Sequence, residues 1–188
     1  LGNLDGLSAC LGNQALILRA WGRLPEAMDL HKEEERICRE LGIQDGLQGS
    51  LGNQALILRA WGRLPEAMDL HKEEERICKE LGNLNSLSNS LGNQALILMA
   101  WDRLDEAMDL LKEQELICRE LNNPEGLSIC LVNQGLVLGK KGEGEKQIAL
   151  VREALAIARE HELTRLAAQI EAILKRIDPP APPDKSYS

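Results

Sequence analysis

The chain has 188 residues, 44% of them hydrophobic, and a formal net charge of −8; that acidity argues against nucleic acid, whose binders need a basic face, and against anionic membrane. No apolar run approaches the length of a membrane span, and no signal peptide opens the chain. With three Trp, one Tyr and no Phe, Leu, Ile and Ala must fill the core, a mix that favours helices over strands.

Residues 11–38 recur without change at 51–78, with substitutions at 91–118 and in worn form at 131–158. A fixed period of 40 residues signals a stacked array in which each unit buries its apolar face against the next. The spacing predicts four repeats, 1–40, 41–80, 81–120 and 121–160, in one solenoid over 1–178. The chain opens at Leu1 in phase with the repeat and without Met, which reads as a piece of something longer.

In the first repeat Asp5 is expected to cap a helix that continues to about Ala20. Its apolar stripe is Leu4, Leu7, Leu11, Leu18 and Trp21. Gly22 stands where a helix-ending glycine belongs. Pro25 suits the first turn of a second helix, which should run to about Leu41 and stop at Gly42. The second repeat differs at Ile43, Gln44, Gln48, Gly49, Ser50 and Lys79. The third has Asn85 as its expected cap, and Asp102 in the turn. The fourth opens on Asn123-Pro124, a cap and a first-turn proline, and turns at Gly142.

Thr164 is expected to cap a final helix to about Ile177. That helix is polar on its outer side, as the closing element of an array must be. The Pro-rich tail, 179–188, should be disordered. No comparable cap opens the array. Leu7, Leu11 and Leu18 lack an upstream neighbour, so either further repeats precede them or this edge self-associates.

The helix-turn-helix unit with Ala15, Leu18, Gly22, Leu24 and Ala27 resembles the tetratricopeptide repeat (TPR). The longer unit is similar to that of kinesin light chains and of the Leu-Gly-Asn-rich regulators of G-protein signalling. The segment Leu11-Gly12-Asn13-Gln14-Ala15-Leu16 resembles the former. Ala27-Met28, His31, Ile37 and Glu40-Leu41-Gly42 resemble the latter. Similar arrays also occur in large bacterial signalling proteins. The resemblance implies an all-α, right-handed α-solenoid that binds protein or peptide on its concave surface. Glu34 and Glu35, repeated as Glu74, Glu75 and Glu115, depart from the family, which places apolar residues there. Either these helices are less buried at mid-length, or the carboxylates pair with arginines such as Arg36, Arg39 or Arg19.

Asn13, Asn53, Asn93 and Asn133 form a ladder on the first helices. Each amide offers a donor and an acceptor, so the ladder could hold a peptide backbone or could bridge repeats. Gln14, Gln54, Gln94 and Gln134 read as buried amides that fix register. Arg19 and Arg59 could grip a carboxylate or pair with the surplus of Glu. Trp21, Trp61 and Trp101 at the turns read as packing residues with an exposed indole edge. His31 and His71 give way to Leu111 in the third repeat, so they read as partly buried inter-helix residues and not as metal ligands. Cys38, Cys78 and Cys118 recur one repeat apart, roughly 10 Å, too far for disulfides. Residues 139–146 mimic a phosphate loop but lack its Gly-Lys-Ser/Thr ending and a preceding strand.

The expectation is therefore a non-enzymatic interaction module without cofactor or metal, in a reducing cytoplasm. A peptide or partner protein would lie on Asn13, Asn53, Asn93, Asn133, Arg19 and Arg59. The other reading is a structural spacer or self-assembly element of a larger signalling protein.

Overall fold

The computed structural model describes residues 4–179, except for the side chain of Asp5. The described residues form nine helices and no strand: α1 (Leu4–Ala20), α2 (Leu24–Leu41), α3 (Gln44–Ala60), α4 (Leu64–Leu81), α5 (Leu84–Ala100), α6 (Leu104–Glu120), α7 (Pro124–Lys140), α8 (Gly144–Glu160) and α9 (Thr164–Ile177). None is long and apolar enough to cross a membrane. The chain divides into two compact units, Leu1–Trp101 and Asp102–Ser188. The expected Asp5 cap and the tail after Pro179 lie outside the described residues.

In the first unit α1 packs on α2 and α3 on α4 within repeats, while α2 packs on α3 and α4 on α5 between them. The small residues Ala15, Ala27, Ala55 and Ala67 are wholly buried, which lets paired helices approach closely. Cys38, Leu47, Leu51 and Ile77 form one inter-repeat cluster. In the second unit α6 packs on α7, α7 on α8 and α8 on α9. Ala167 and Ile170 of α9 join Val151, Ala154 and Leu155 of α8 in one core. The last helix thus covers the apolar side of α8 and keeps Arg165 and Lys175 outward.

The turns share one backbone geometry whatever residue stands there. Gly22, Gly62 and Gly142 are left-handed, with φ of 76°, 75° and 81°, and Asp102 adopts 60° in their place. Gly42 and Gly82 end their helices in the same conformation, at 70° and 66°, and Asn122 replaces them at 48°. The close of each helix imposes this region, and glycine only makes it inexpensive.

Two caps differ from expectation. In α5 the cap is Asn83, not Asn85; its side chain accepts from the Ser86 N–H at 3.2 Å. In α9 Leu163 precedes the helix, and the Thr164 hydroxyl donates to the Glu162 carbonyl instead of capping. Asn123 caps α7 by accepting from the Gly126 N–H at 2.9 Å. Trp21 is largely exposed and not packed as expected. None of the five cysteines is in a disulfide; four are buried and Cys10 is exposed.

Candidate peptide-binding face

The first helix of each repeat carries a glycine or valine near its middle: Gly12, Gly52, Gly92 and Val132. At Gly52 the missing side chain admits a carboxylate from the paired helix. A Cβ there would meet Glu74 Oε1 at 2.4 Å, and at Gly12 the same test meets Glu34 Oε1 at 2.3 Å. Glu74 therefore sits on α3 and is buried, as Glu34 is on α1. Each carboxylate also meets the histidine one turn earlier: His71 Nδ1 to Glu74 Oε2, and His31 Nδ1 to Glu34 Oε2, both at 2.8 Å. Both imidazoles are wholly buried, and their Nε2 atoms have no hydrogen-bond partner. These histidines were expected to be only partly buried, and these glutamates to be exposed or paired with arginine. The glycine explains both differences, because it opens a slot that a carboxylate and its histidine fill together.

Glu35, Glu75 and Glu115 act differently. Each is half-buried, bonds a basic residue one turn on, and accepts from a glutamine of the next repeat. Gln54 donates to Glu35, Gln94 to Glu75 and Gln134 to Glu115, each at 2.7 Å. Arg39, Lys79 and Arg119 hold the other carboxylate oxygen. The glutamines are thus inter-repeat ties, except Gln14 of α1, which is exposed.

A groove of about 190 Å³ runs between α3 and α5, lined among others by Gln48, Asn53, Leu56, Asn89 and Asn93, with Glu74 reaching it. Asn53 is already engaged: its Oδ1 accepts from Arg19 at 2.9 Å and its Nδ2 donates to the Gly49 carbonyl at 2.9 Å. Asn89 and Asn93 make no hydrogen bond to any described residue. Arg59, the counterpart of Arg19, is half-buried and likewise has no described partner. Asn13 is exposed on α1, and Asn133 holds the equivalent place on α7, in the second unit.

The structure therefore brings Asn53, Asn93 and Arg19 onto one face of the first unit. It adds Gln48, Asn89 and Glu74, which the sequence reading did not assign to it. Behind the groove wall the wholly buried Cys78 thiol donates to Gln48 Oε1 at 3.3 Å, and burial pushes it up to about 12. Larger open hollows border α9, one of about 570 Å³, but they carry no comparable set of unengaged amides. Among the described residues no group of three or more His, Cys, Asp or Glu could hold a metal ion.

No protein-family model and no curated protein matches the chain. Solved structures do. The chain superposes on BtubC (BKLC) from P. vanneervenii with a TM-score of 0.72 at 17% identity, over 98% of this chain and 87% of that one. It superposes on the apo form of RapI with a TM-score of 0.86 at 13% identity, over 95% of this chain and 65% of RapI. The third is a kinesin light chain-type protein of nearly identical TPR-like repeats from Podosopora anserina, at 0.69 and 16%, over 96% of this chain and 100% of that one. At such identities the likeness shows the fold alone: the chain is an all-α solenoid of tandem TPR-like helix pairs.

Proposed function

We propose that the chain is a non-enzymatic interaction module that holds a peptide or partner protein on the face of its first helices, the concave face in TPR arrays. One observation supports this most. The groove between α3 and α5 presents the amides of Asn89 and Asn93 with no partner of their own, over a framework whose other amides are engaged. An amide that donates and accepts can satisfy both polar groups of an extended peptide unit, whatever its side chain. Asn13 and Asn133 offer the same group on α1 and α7. Glu74 in the groove lining favours a ligand that brings donors, and Arg59 on the last turn of α3 favours one that also carries a carboxylate.

The test is to change Asn13, Asn53, Asn93 and Asn133 to Ala together and to measure capture of a peptide selected by display against the native chain. With helix content unchanged by circular dichroism, affinity should fall at least about tenfold, the loss of roughly one or two hydrogen bonds. Unchanged affinity would remove this site.

A further inference from the structure

The repeat supplies its own control for a second surface, the side of α1 that faces away from α2. Leu7, Cys10, Gln14, Ile17 and Trp21 are spaced by three and four residues and so share one helix side. Their counterparts on α3 are Leu47, Ser50, Gln54, Ile57 and Trp61. On α3 that side is covered. Leu47 joins Cys38 in the inter-repeat cluster, Ser50 donates to the His31 carbonyl of α2 at 2.7 Å, and Gln54 donates to Glu35 of α2 at 2.7 Å. The same side of α7 repeats the pattern on α6: Cys130 donates to the Leu111 carbonyl and Gln134 to Glu115.

On α1 the same residues are uncovered. Leu7 is 44% exposed and Leu47 4%; Ile17 is 51% and Ile57 1%; Trp21 is 69% and Trp61 40%. Cys10 is exposed, and Gln14 is exposed with no hydrogen bond to any described residue. Neither composition nor propensity accounts for the contrast, since Leu, Gln, Ile and Trp are identical in the two copies. Among the described residues no helix packs on this side of α1.

We infer that this side of α1 is a docking surface for an amphipathic helix of the α2 type, one that carries a small apolar stripe and a carboxylate at the place of Glu35. The identical surface on α3 specifies the chemistry of the occupant. A carboxylate accepts from Gln14, a backbone carbonyl accepts from Cys10, and a stripe matching Ile37 and Cys38 covers Leu7 and Ile17. A second folded copy has no helix of this type to offer. Among the described residues α2, α4, α6 and α8 already use this surface on α3, α5, α7 and α9. The surface is also separate from the groove between α3 and α5, so its test is independent of the proposed peptide site.

The experiment uses the full chain and a synthetic peptide of its residues 24–41, fluorescein-labelled, read by anisotropy. The expected result is saturable one-to-one binding with a blue shift of the exposed Trp21. Ile17→Asp in the chain should abolish binding, and since Ile17 is on the surface the helix content should not change. Gln14→Ala in the chain, or Glu35→Ala in the peptide, should each weaken binding roughly tenfold. A control peptide of residues 44–60, which lacks the carboxylate stripe, should not bind. Absence of saturable binding, equal binding by Ile17→Asp, or equal binding of the control peptide would overturn the inference. So would a concentration-dependent dimer in sedimentation that Ile17→Asp dissolves, because the surface would then serve a second copy.

Discussion

Replacing His71 by Leu tests the packing that carries the groove. His71 is wholly buried and bonds Glu74, whose carboxylate lies in the slot opened by Gly52. Removing one partner of a buried pair costs about 3–5 kcal/mol, because the other charge is left uncompensated. Leucine recovers about 1 kcal/mol by burying more apolar surface. Glu74 also borders an open groove, so part of the loss is relieved by water, and a net loss of about 2 kcal/mol is expected. For a chain of this size that lowers Tm by roughly 4–8 °C.

The third repeat shows how the site can do without the pair, since Leu111 and Gln114 stand where His71 and Glu74 do. His71→Leu combined with Glu74→Gln copies that solution. It should lie within about 1 kcal/mol of the native chain, because the carboxylate and its hydrogen-bond partner leave together. The assay is urea denaturation followed by far-UV circular dichroism. Midpoints are compared only at matching slopes, because arrays can depart from two-state unfolding. A single variant as stable as the native chain, or a double variant no better than the single, would refute the argument that Glu74 depends on His71.

Other outcomes follow from the same geometry. Gly52→Val should destabilise by roughly 2 kcal/mol through overlap with Glu74; adding His71→Val and Glu74→Ala copies Val132, Val151 and Ala154 of the fourth repeat and should recover most of the loss in a thermal melt. Asp102→Gly and Asn122→Gly relieve left-handed residues at φ of 60° and 48° and should each stabilise by about 0.5–1 kcal/mol, read as a rise in Tm. A thiol reagent at pH 8 should modify Cys10 alone in the native chain and all five cysteines in denaturant, because the other four are buried. Burial raises the Cys78 and Cys130 thiols to about 12. Their contribution to stability is complete below the unfolded thiol value near 8.5 and is lost as pH rises from there to about 12; a urea midpoint constant across that window would contradict it.

Much of the fold was legible because its signals repeat. The period, the left-handed turn glycines and the small residues Ala15 and Ala27 recur at fixed offsets, so one reading served four copies. Asn123-Pro124 was legible as a cap because both residues have local roles. Asn83 was missed because Asn85 is an equally good capping residue two positions on, and only the backbone decides between them.

The burial of Glu34 and Glu74 was missed for another reason. A carboxylate reads as surface unless its slot is seen, and the slot is a glycine on a different helix, 22 residues earlier. The signal was present in the contrast between repeats: glycine accompanies Glu34 and Glu74, while Val132 accompanies Ala154. Asn53 reads from sequence as a peptide clamp or a bridge between repeats, and Arg19 as an anion grip or a partner for Glu; the structure joins the two in one hydrogen bond, the bridging alternative with a partner that neither reading named. That bond spans repeats, so no local pattern within one helix announces it.

The account's central claim is that a peptide lies along the groove between α3 and α5, held by amides that the chain leaves unengaged. The most direct measurement is NMR titration of a display-selected peptide into the labelled chain, following side-chain amide groups. The account predicts that the Asn89 and Asn93 side-chain resonances shift most, with Gly52 and Arg59 among the strongly affected backbone amides. Saturable binding with shifts confined to α2 and α4, and none at Asn89 or Asn93, would contradict it.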